Sequence, residues 1–169
     1  MAPLKLLKTI RFDASDDAVF EVAAGVGEWA ISGAFEFANE DASVLTGKRR
    51  QAFANGFLGF DGFGRSTFVV VSAADEAQRA ELVYRLARHF VDCYGAPNLD
   101  AAMPVAEEEV AFAVSLAANQ PINTVLTVRR TVASDGQIKE EFRTIRPPSD
   151  TPLHARIWKI ESDDETSNT

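Results

Sequence analysis

The sequence predicts an α+β fold in which a mostly antiparallel sheet of about six or seven strands carries two main helices on one face. Short segments with alternating apolar and polar residues occur near both ends of the chain, and two helical patterns lie together between them. Asp135-Gly136 joins the two longest C-terminal strand candidates, as expected for a tight hairpin. We assign residues 1–160 to a single globular domain and residues 161–169 to an acidic, disordered tail.

The N-terminal third is predicted to contain short strands separated by turns. The cleanest alternation runs from Trp29 to Phe37, which indicates one half-buried strand with a bulge at Gly33. The remaining elements predicted up to residue 72 are a strand over residues 4–12, a polar turn over 13–17, a strand over 19–22, a helix over 46–55 and a β-rich run over 65–72.

Two longer helices are predicted in the middle of the chain. Ser72-Ala73-Ala74-Asp75 has the form of an N-cap and opens the first helix, which Gly95 and Pro97 end. Its apolar stripe comprises Leu82, Val83, Leu86, Phe90, Cys93 and Tyr94. The second helix is predicted from Pro104 to Ala118, which places residues 107–109, all glutamates, near its positive end.

The C-terminal part is predicted to contain three strands. They cover residues 124–133, 137–145 and 155–160, with prolines between residues 147 and 152 forming an extended linker.

Composition and charge argue against several classes of function. The chain has 17 basic and 25 acidic residues and a net charge of −8, so it lacks the positive field that favours nucleic acid or an anionic membrane. The N-terminus has no apolar stretch resembling a signal peptide or a membrane span, and a single cysteine forbids an internal disulfide. We therefore expect a cytoplasmic protein.

No cofactor or metal is expected from the sequence. His89 and Cys93 lie four residues apart on a helix, but two ligands do not complete a zinc site and His154 is the only other histidine. A serine nucleophile would need His89 or His154, and the chain has no Gly-x-Ser-x-Gly motif. The inventory therefore leans away from an enzyme.

A segment rich in glycine and phenylalanine, residues 56–64, is the first candidate site. Its aromatic residues Phe57, Phe60 and Phe63, with Arg65 and Ser66 directly after them, are candidate ligand-binding residues. They predict either a wall for an apolar ligand with Arg65 as an anion anchor, or a loop whose phenylalanines fill the core. The segment matches neither the P-loop nor the dinucleotide-binding pattern.

The second predicted helix is apolar on two sides, and this makes it the second candidate site. One side carries small residues, whereas Val105, Phe112 and Leu116 lie on another side of the same helix. The residues on this second side are candidates for a partner interface, and the alternative is burial inside the domain.

Two basic clusters interrupt the acidic chain. One is Lys48-Arg49-Arg50, and the other is the 124–146 hairpin with Arg129, Arg130, Lys139, Arg143 and Arg146 beside Glu140 and Glu141. Each predicts either an anion or acidic-partner site or a solvated face, and cross-strand pairing accounts for part of the second.

Three short patterns carry a family resemblance. They are Lys8-Thr9-Ile10-Arg11-Phe12-Asp13, Gly27-Glu28-Trp29-Ala30 and Gly56-Phe57-Leu58-Gly59. With them the chain resembles a family of small alphaproteobacterial proteins that is known only as a domain of unknown function. The resemblance implies a compact bacterial cytoplasmic domain and transfers no functional residue.

Two hypotheses on function follow from these features. The first is a non-enzymatic accessory or interaction protein that binds a protein partner or a second copy of itself through Val105, Phe112 and Leu116. The second is a protein or enzyme that binds a small anionic or apolar ligand with residues 56–67.

Overall fold

The computed structural model describes residues 3–146 and 159–161 and confirms the α+β prediction. The helices are α1 (Ser15–Val19), α2 (Gly47–Asn55), α3 (Glu76–Cys93) and α4 (Leu99–Ala118), with short 3-10 turns at Ala34–Phe37 and Ala42–Val44. The strands are β1 (Lys5–Ile10), β2 (Trp29–Ile31), β3 (Phe57–Gly59), β4 (Arg65–Ser66), β5 (Phe68–Ala73), β6 (Val125–Val132), β7 (Ile138–Arg146) and β8 (Lys159–Glu161).

The strands form one sheet in the order β4-β3-β2-β1-β5-β6-β7-β8, in which all neighbours are antiparallel. Seven strands lie between residues 5 and 146, and the short β8 extends the sheet beside the end of β7. The predicted hairpin is confirmed, since β6 and β7 pair along their length and Gly136 in their turn has φ +87°.

Two apolar cores hold the sheet and the helices together. In the larger one, α4 presents small buried residues to β1 and β2, and α3 packs against α4. Small side chains allow this close approach because they keep the helix backbone near the strands. A smaller core contains Phe20, Phe37, Ala42, Ala52 and Phe53, with Val132 and Ile138 of the β6–β7 hairpin packed against it.

The strand predicted over residues 19–22 is wrong, and part of the predicted polar turn before it is helical. Residues Ser15–Val19 form α1 instead. The buried carboxylate of Asp16 accepts hydrogen bonds from the backbone N–H of Thr67 at 3.2 Å and from its hydroxyl at 2.7 Å. This contact with a distant segment holds the turn as a helix, and the local pattern does not encode it.

The long strand predicted from Trp29 to Phe37 is wrong beyond Ile31. Gly33 has φ +80°, in the left-handed region, and a 3-10 turn follows it. A Cβ at Gly33 would lie 2.5 Å from Cβ of Leu58. The glycine therefore ends β2 where the chain passes close to β3, which an alternating pattern alone does not reveal.

The start of the second long helix also differs from the prediction. Helix α4 begins at Leu99, because the side chain of Asn98 accepts a hydrogen bond from the backbone N–H of Ala101 at 2.8 Å. Pro104 lies inside the helix, and the glutamates at 107–109 are in its middle rather than near its positive end.

The helix predicted after Ser72-Ala73-Ala74-Asp75 is confirmed as α3, but its N-cap is Asp75, which forms a capping box with Gln78, whereas Ser72 belongs to β5. Cys93 and Tyr94, however, are exposed, since the helix ends there and its apolar stripe is no longer covered. The strands predicted over 4–12, 124–133 and 137–145 and the helix over 46–55 are confirmed with small changes of boundary, whereas the β-rich run over 65–72 divides at Thr67 into β4 and β5. Three predicted parts lie outside the described residues: the linker prolines, residues 155–158 and the tail from residue 162. Glu161, which we assigned to the tail, belongs to β8.

Candidate functional site

The glycine- and phenylalanine-rich segment forms a small hairpin, β3–β4, rather than an irregular loop. Phe57 and Phe60 are fully buried in the larger core, whereas Phe63 in the turn is half-buried. Phe63 has φ +53°, an unusual conformation for an aromatic residue. Two of the three candidate phenylalanines therefore fill the core, and Phe63 borders two surface clefts.

Arg65, the candidate anion anchor, is buried and paired within the protein. Its guanidinium donates hydrogen bonds to the carbonyls of Gly56 and Gly33, both at 3.0 Å, and forms an ion pair with Glu36. Only 4% of the residue is exposed, and this burial lowers the pKa of Arg65 to about 10. Ser66 is buried as well, and its hydroxyl donates to the carbonyl of Phe68 at 2.7 Å.

Glu36 connects Arg65 to the surface. Its second carboxylate oxygen accepts a hydrogen bond from the hydroxyl of Tyr94 at 2.7 Å. Burial alone would raise the pKa of Glu36, but the charge of Arg65 and the Tyr94 hydrogen bond hold it below its usual value. Burial and the same hydrogen bond raise the pKa of Tyr94.

A cleft of about 160 Å³ lies beside this group. Phe63, Arg65 and Glu36 line it together with Lys48 and Arg49 of α2. The structure therefore brings one basic cluster from the sequence to the glycine- and phenylalanine-rich segment. Arg49 itself pairs with Glu40 and lies over the ring of Phe37 at 4.5 Å.

On its other side, Phe63 stacks on His89 of α3. The ring centroids are 3.6 Å apart and the rings are inclined by 6°. Burial lowers the pKa of His89, so this ring is mostly neutral near neutral pH. A second cleft of about 260 Å³ is lined by these two rings and by Tyr84, Arg85 and Arg88.

Arg130 is a second buried arginine, and its structural role was missed in the sequence. Its guanidinium donates to the carbonyls of Phe53, Gly56 and Ser32 at 2.9, 2.8 and 2.5 Å, and its Nε lies 2.8 Å from the carboxylate of Glu140. The sequence does contain a signal for the burial of Arg130, because this residue continues the alternation of the buried residues Leu126 and Val128. Cross-strand pairing in the hairpin is confirmed, with Arg129 opposite Glu141 and Arg130 opposite Glu140.

The candidate interface side of α4 is only partly covered. Val105 is 48% exposed and Phe112 is 39% exposed, while Leu116 is half-buried. The ring of Phe112 packs edge-on against Phe142 of β7, with 5.7 Å between ring centroids. This contact places Phe112 at the boundary between α4 and β7, and Leu116 follows it one helical turn later.

An open groove of about 590 Å³ follows this boundary, and we call it the α4–β7 groove. Its lining comprises Ser115, Leu116, Asn119, Gln120, Leu126, Glu140, Glu141, Phe142, Arg143 and Thr144. Within the described part of the chain, β7 pairs on its outer side only at Thr144–Arg146, with β8. Strand β7 thus forms one wall of the groove, and the last turn of α4 with the two residues after it forms the other.

Two further features are absent from the described segments 3–146 and 159–161. No group of three or more His, Cys, Asp or Glu side chains there is arranged to hold a metal ion. No helix among them is both long and apolar enough to cross a membrane.

The fold and these sites define an α+β domain with an antiparallel sheet, two buried arginines and a surface groove beside its long central helix. The chain belongs to a family described as a family of unknown function (DUF6505), whose model matches residues 4–159. The match confirms the resemblance to a family of unknown function that the sequence indicated. No curated protein and no solved structure matches the chain.

Proposed function

We propose that this chain is a non-enzymatic accessory protein of the cytoplasm that binds another polypeptide chain in the α4–β7 groove. The observation that carries the proposal is Phe112, a large aromatic side chain that is 39% exposed at the edge of this groove. Aromatic residues at the rim of an open groove are typical anchors of protein interfaces.

The surroundings of Phe112 support its role as an anchor. Phe142 holds one edge of the ring, so Phe112 is positioned before a partner arrives and loses little freedom on binding. Leu116 and Val105 lie one turn after and two turns before it on the same side of α4, which extends the apolar stripe. Polar side chains from Ser115, Asn119 and Glu141 surround the stripe, as in a small interface with a polar rim.

The proposal predicts that a double change, Phe112→Ser with Leu116→Ser, removes an associated chain while the domain stays folded. Native mass spectrometry of protein purified gently from its host would report the mass of the complex, and circular dichroism would report the fold. Exposed apolar residues outside the groove provide the control, because Val22→Ser with Val44→Ser changes hydrophobicity by a similar amount elsewhere.

We expect the wild-type protein and the control to carry the additional chain and the double variant to lose it. A wild-type protein that is only a monomer, or a double variant that keeps its partner, would contradict the proposal. Unfolding of the double variant would show that Phe112 and Leu116 serve the core, and the milder change Phe112→Leu would then test the anchor alone.

A second candidate function is binding of a small anion in the cleft beside Phe63. The observation that favours it is Lys48, which lines a cleft of about 160 Å³, a size suited to a phosphate or a short carboxylate. Arg49 and Arg65 line the same cleft but are paired with Glu40 and Glu36, and Glu21 lines it too, so Lys48 supplies the unpaired positive charge. Since Arg65 is structural, Lys48→Ala is the informative change and Arg50→Ala is its control. Inorganic phosphate titrated by calorimetry should bind wild type and Arg50→Ala but not Lys48→Ala; no heat with wild type would exclude phosphate.

A further inference from the structure

The two edges of the sheet differ in how their backbone groups are used. At the β4 edge, the 22–24 segment covers the strand, because two backbone hydrogen bonds of 2.8 Å join this segment to Arg65. At the opposite edge, β8 pairs with β7 only at Thr144–Arg146. Within the described part of the chain, β7 is therefore an open edge from residue 138 to residue 143.

Alternate residues of β7 present their backbone groups at this open edge. In the hairpin, the N–H of Ala133 donates to the carbonyl of Gln137 at 2.8 Å, and bonded and unbonded pairs alternate from there along an antiparallel ladder. The odd-numbered residues of β7 consequently bond to β6. The N–H and C=O groups of Ile138, Glu140 and Phe142 point outward, and none has a partner among residues 3–146 and 159–161. An added strand would satisfy these groups.

The side chains along the open edge are complementary to the same stretch running in the opposite direction. When two copies of β7 pair about a two-fold axis at Glu140, Ile138 lies opposite Phe142 of the second copy and Lys139 lies opposite Glu141 of the second copy. The outward-pointing residues of both strands then bond to each other. Moving the axis by one residue would set Lys139 opposite Lys139 or Glu141 opposite Glu141, so the charges favour the first register.

The charges close to the axis are balanced in this register. Glu141 lies opposite Arg129 in its own hairpin, and Lys139 of the second copy approaches it from the other side. Lys139 is exposed and faces Thr131 in its own hairpin, so Glu141 of the second copy provides its counter-charge. Glu140 already lies 2.8 Å from Nε of Arg130, and its carboxylate therefore enters the interface together with a counter-charge.

The same pairing covers apolar surface at the α4–β7 groove. Ile138 and Phe142 are both half-buried, and the ring of Phe142 contacts Phe112 of α4. Opposite residues of an antiparallel pair share one face of the sheet, so Ile138 of the second copy lies beside Phe142 on the α4 side. The apolar stripe of Phe112 and Leu116 is thereby extended across the two-fold axis.

We propose, on the basis of the function proposed above, that the chain bound at the α4–β7 groove is a second copy of this protein, joined by pairing of the two β7 edges into one continuous sheet. Backbone hydrogen bonds at Ile138, Glu140 and Phe142 hold the two sheets together, and the pair of Lys139 and Glu141 sets the register. The pairing uses residues 138–142 and ends before Thr144, the first residue that pairs with β8.

The test measures the mass of the recombinant full chain by analytical ultracentrifugation over a range of concentrations, and wild type should dimerise. Lys139→Glu and Glu141→Lys should each raise the Kd of the dimer at least about tenfold, because like charges then face each other on both sides of the axis. The double change Lys139→Glu with Glu141→Lys restores opposite charges in this register and should recover the dimer. Arg50→Glu inverts one charge at an exposed position of α2 and should dimerise like wild type.

Hydrogen exchange followed by mass spectrometry locates the contact within the dimer. The amides of Ile138, Glu140 and Phe142 face solvent in the single chain and are hydrogen-bonded in the paired sheet. A peptide covering residues 138–142 should therefore exchange more slowly at concentrations at which wild type is dimeric than at those at which it is monomeric. Helix α3 should exchange at the same rate at both concentrations, and so should the whole of Lys139→Glu if it stays monomeric.

The outcomes distinguish this inference from the proposed function. A wild type that stays monomeric, a dimer that tolerates Lys139→Glu, or a charge-swapped double variant that stays monomeric would overturn the β7 pairing. The groove would remain the docking site if protein from the host carries a different chain that Phe112→Ser with Leu116→Ser removes. A dimer that responds to the charge changes but survives the groove change would contradict Phe112 as the anchor and support the β7 pairing.

Discussion

At the residue scale, the ion pair of Arg65 and Glu36 is a structural element rather than a ligand anchor. Arg65→Met would leave Glu36 without its ion-pair partner and the carbonyls of Gly33 and Gly56 without their donor. We expect a loss of about 3–5 kcal/mol in the free energy of unfolding, measured by urea denaturation, because one charge of a buried pair stays behind. The more exposed pair of Arg49 and Glu40 provides the control, and Arg49→Met should lose less than about 1 kcal/mol.

The pH dependence of stability gives an independent check on the same pair. The folded state lowers the pKa of Glu36, so ionised Glu36 stabilises the fold. This contribution to the free energy of unfolding is complete above the ordinary carboxyl pKa and is lost as the pH falls through the pKa of Glu36 in the folded protein. The wild-type protein should therefore lose stability in acid more steeply than Arg65→Met. Arg65→Met and Arg49→Met could lose equal free energy of unfolding, or wild type and Arg65→Met could lose stability in acid in parallel. Either result would show that Arg65 does not hold Glu36 in its ionised form.

At the scale of elements, local signals and distant contacts explain which parts of the fold were predictable. Helix α3 and the β6–β7 hairpin were predicted because their signals are local in sequence. Asp75 lies next to the first turn of the helix, and Asp135-Gly136 forms the turn between the two strands. The end of β2 was missed because Gly33 takes its left-handed conformation beside Leu58 and Arg65, which are distant in sequence. Such a contact leaves no trace in an alternating pattern.

The same distinction applies to the candidate sites. The two apolar sides of α4 were visible in the sequence, but the exposure of Phe112 depends on how far β7 covers it. Arg65 was singled out by its position after the glycines, yet its acceptors come from the segments around Gly33 and Gly56. Helical and strand periodicity identify a face, and the tertiary arrangement decides what that face meets.

The β3–β4 hairpin makes a prediction at this scale. Its backbone lies directly on the 22–24 segment, where Ala24 donates to the carbonyl of Arg65 and Arg65 donates to that of Val22, both at 2.8 Å. A Cβ at Gly64 would lie 2.7 Å from the carbonyl carbon of Ala23, so Gly64→Ala must push the two segments apart. We expect a loss of about 1–3 kcal/mol in the free energy of unfolding.

Gly62 supplies the matched control in the same hairpin. A Cβ there meets no atom within 4 Å and the backbone has no positive φ, so Gly62→Ala should change stability by less than about 0.5 kcal/mol. Thermal melting should give a lower melting temperature for Gly64→Ala than for Gly62→Ala. Similar melting temperatures would mean that the hairpin does not need its close approach to residues 22–24.

At the scale of the whole molecule, Arg130 joins the two apolar cores. It extends from β6, whose residues Leu126 and Val128 belong to the larger core, to the carbonyls at the end of α2, which carries Phe53 of the smaller core. The carbonyl of Gly56 accepts from both Arg130 and Arg65, so the two buried arginines meet at one backbone group. Their charges are neutralised separately, by Glu140 and Glu36.

This arrangement predicts that Arg130→Met uncouples the smaller core from the larger one. Without its donor, the carbonyls of Ala52 and Phe53 at the end of α2 lose their hydrogen bonds to β6, and Asn55 keeps the one to the carbonyl of Val128 at 3.1 Å, whereas α4 is held by its own packing on β1 and β2. Hydrogen exchange followed by mass spectrometry should therefore show faster exchange in α2 and little change in α4, because local opening has become easier than global unfolding. A uniform increase across both helices would mean that the cores unfold as one unit and that Arg130 contributes only to overall stability.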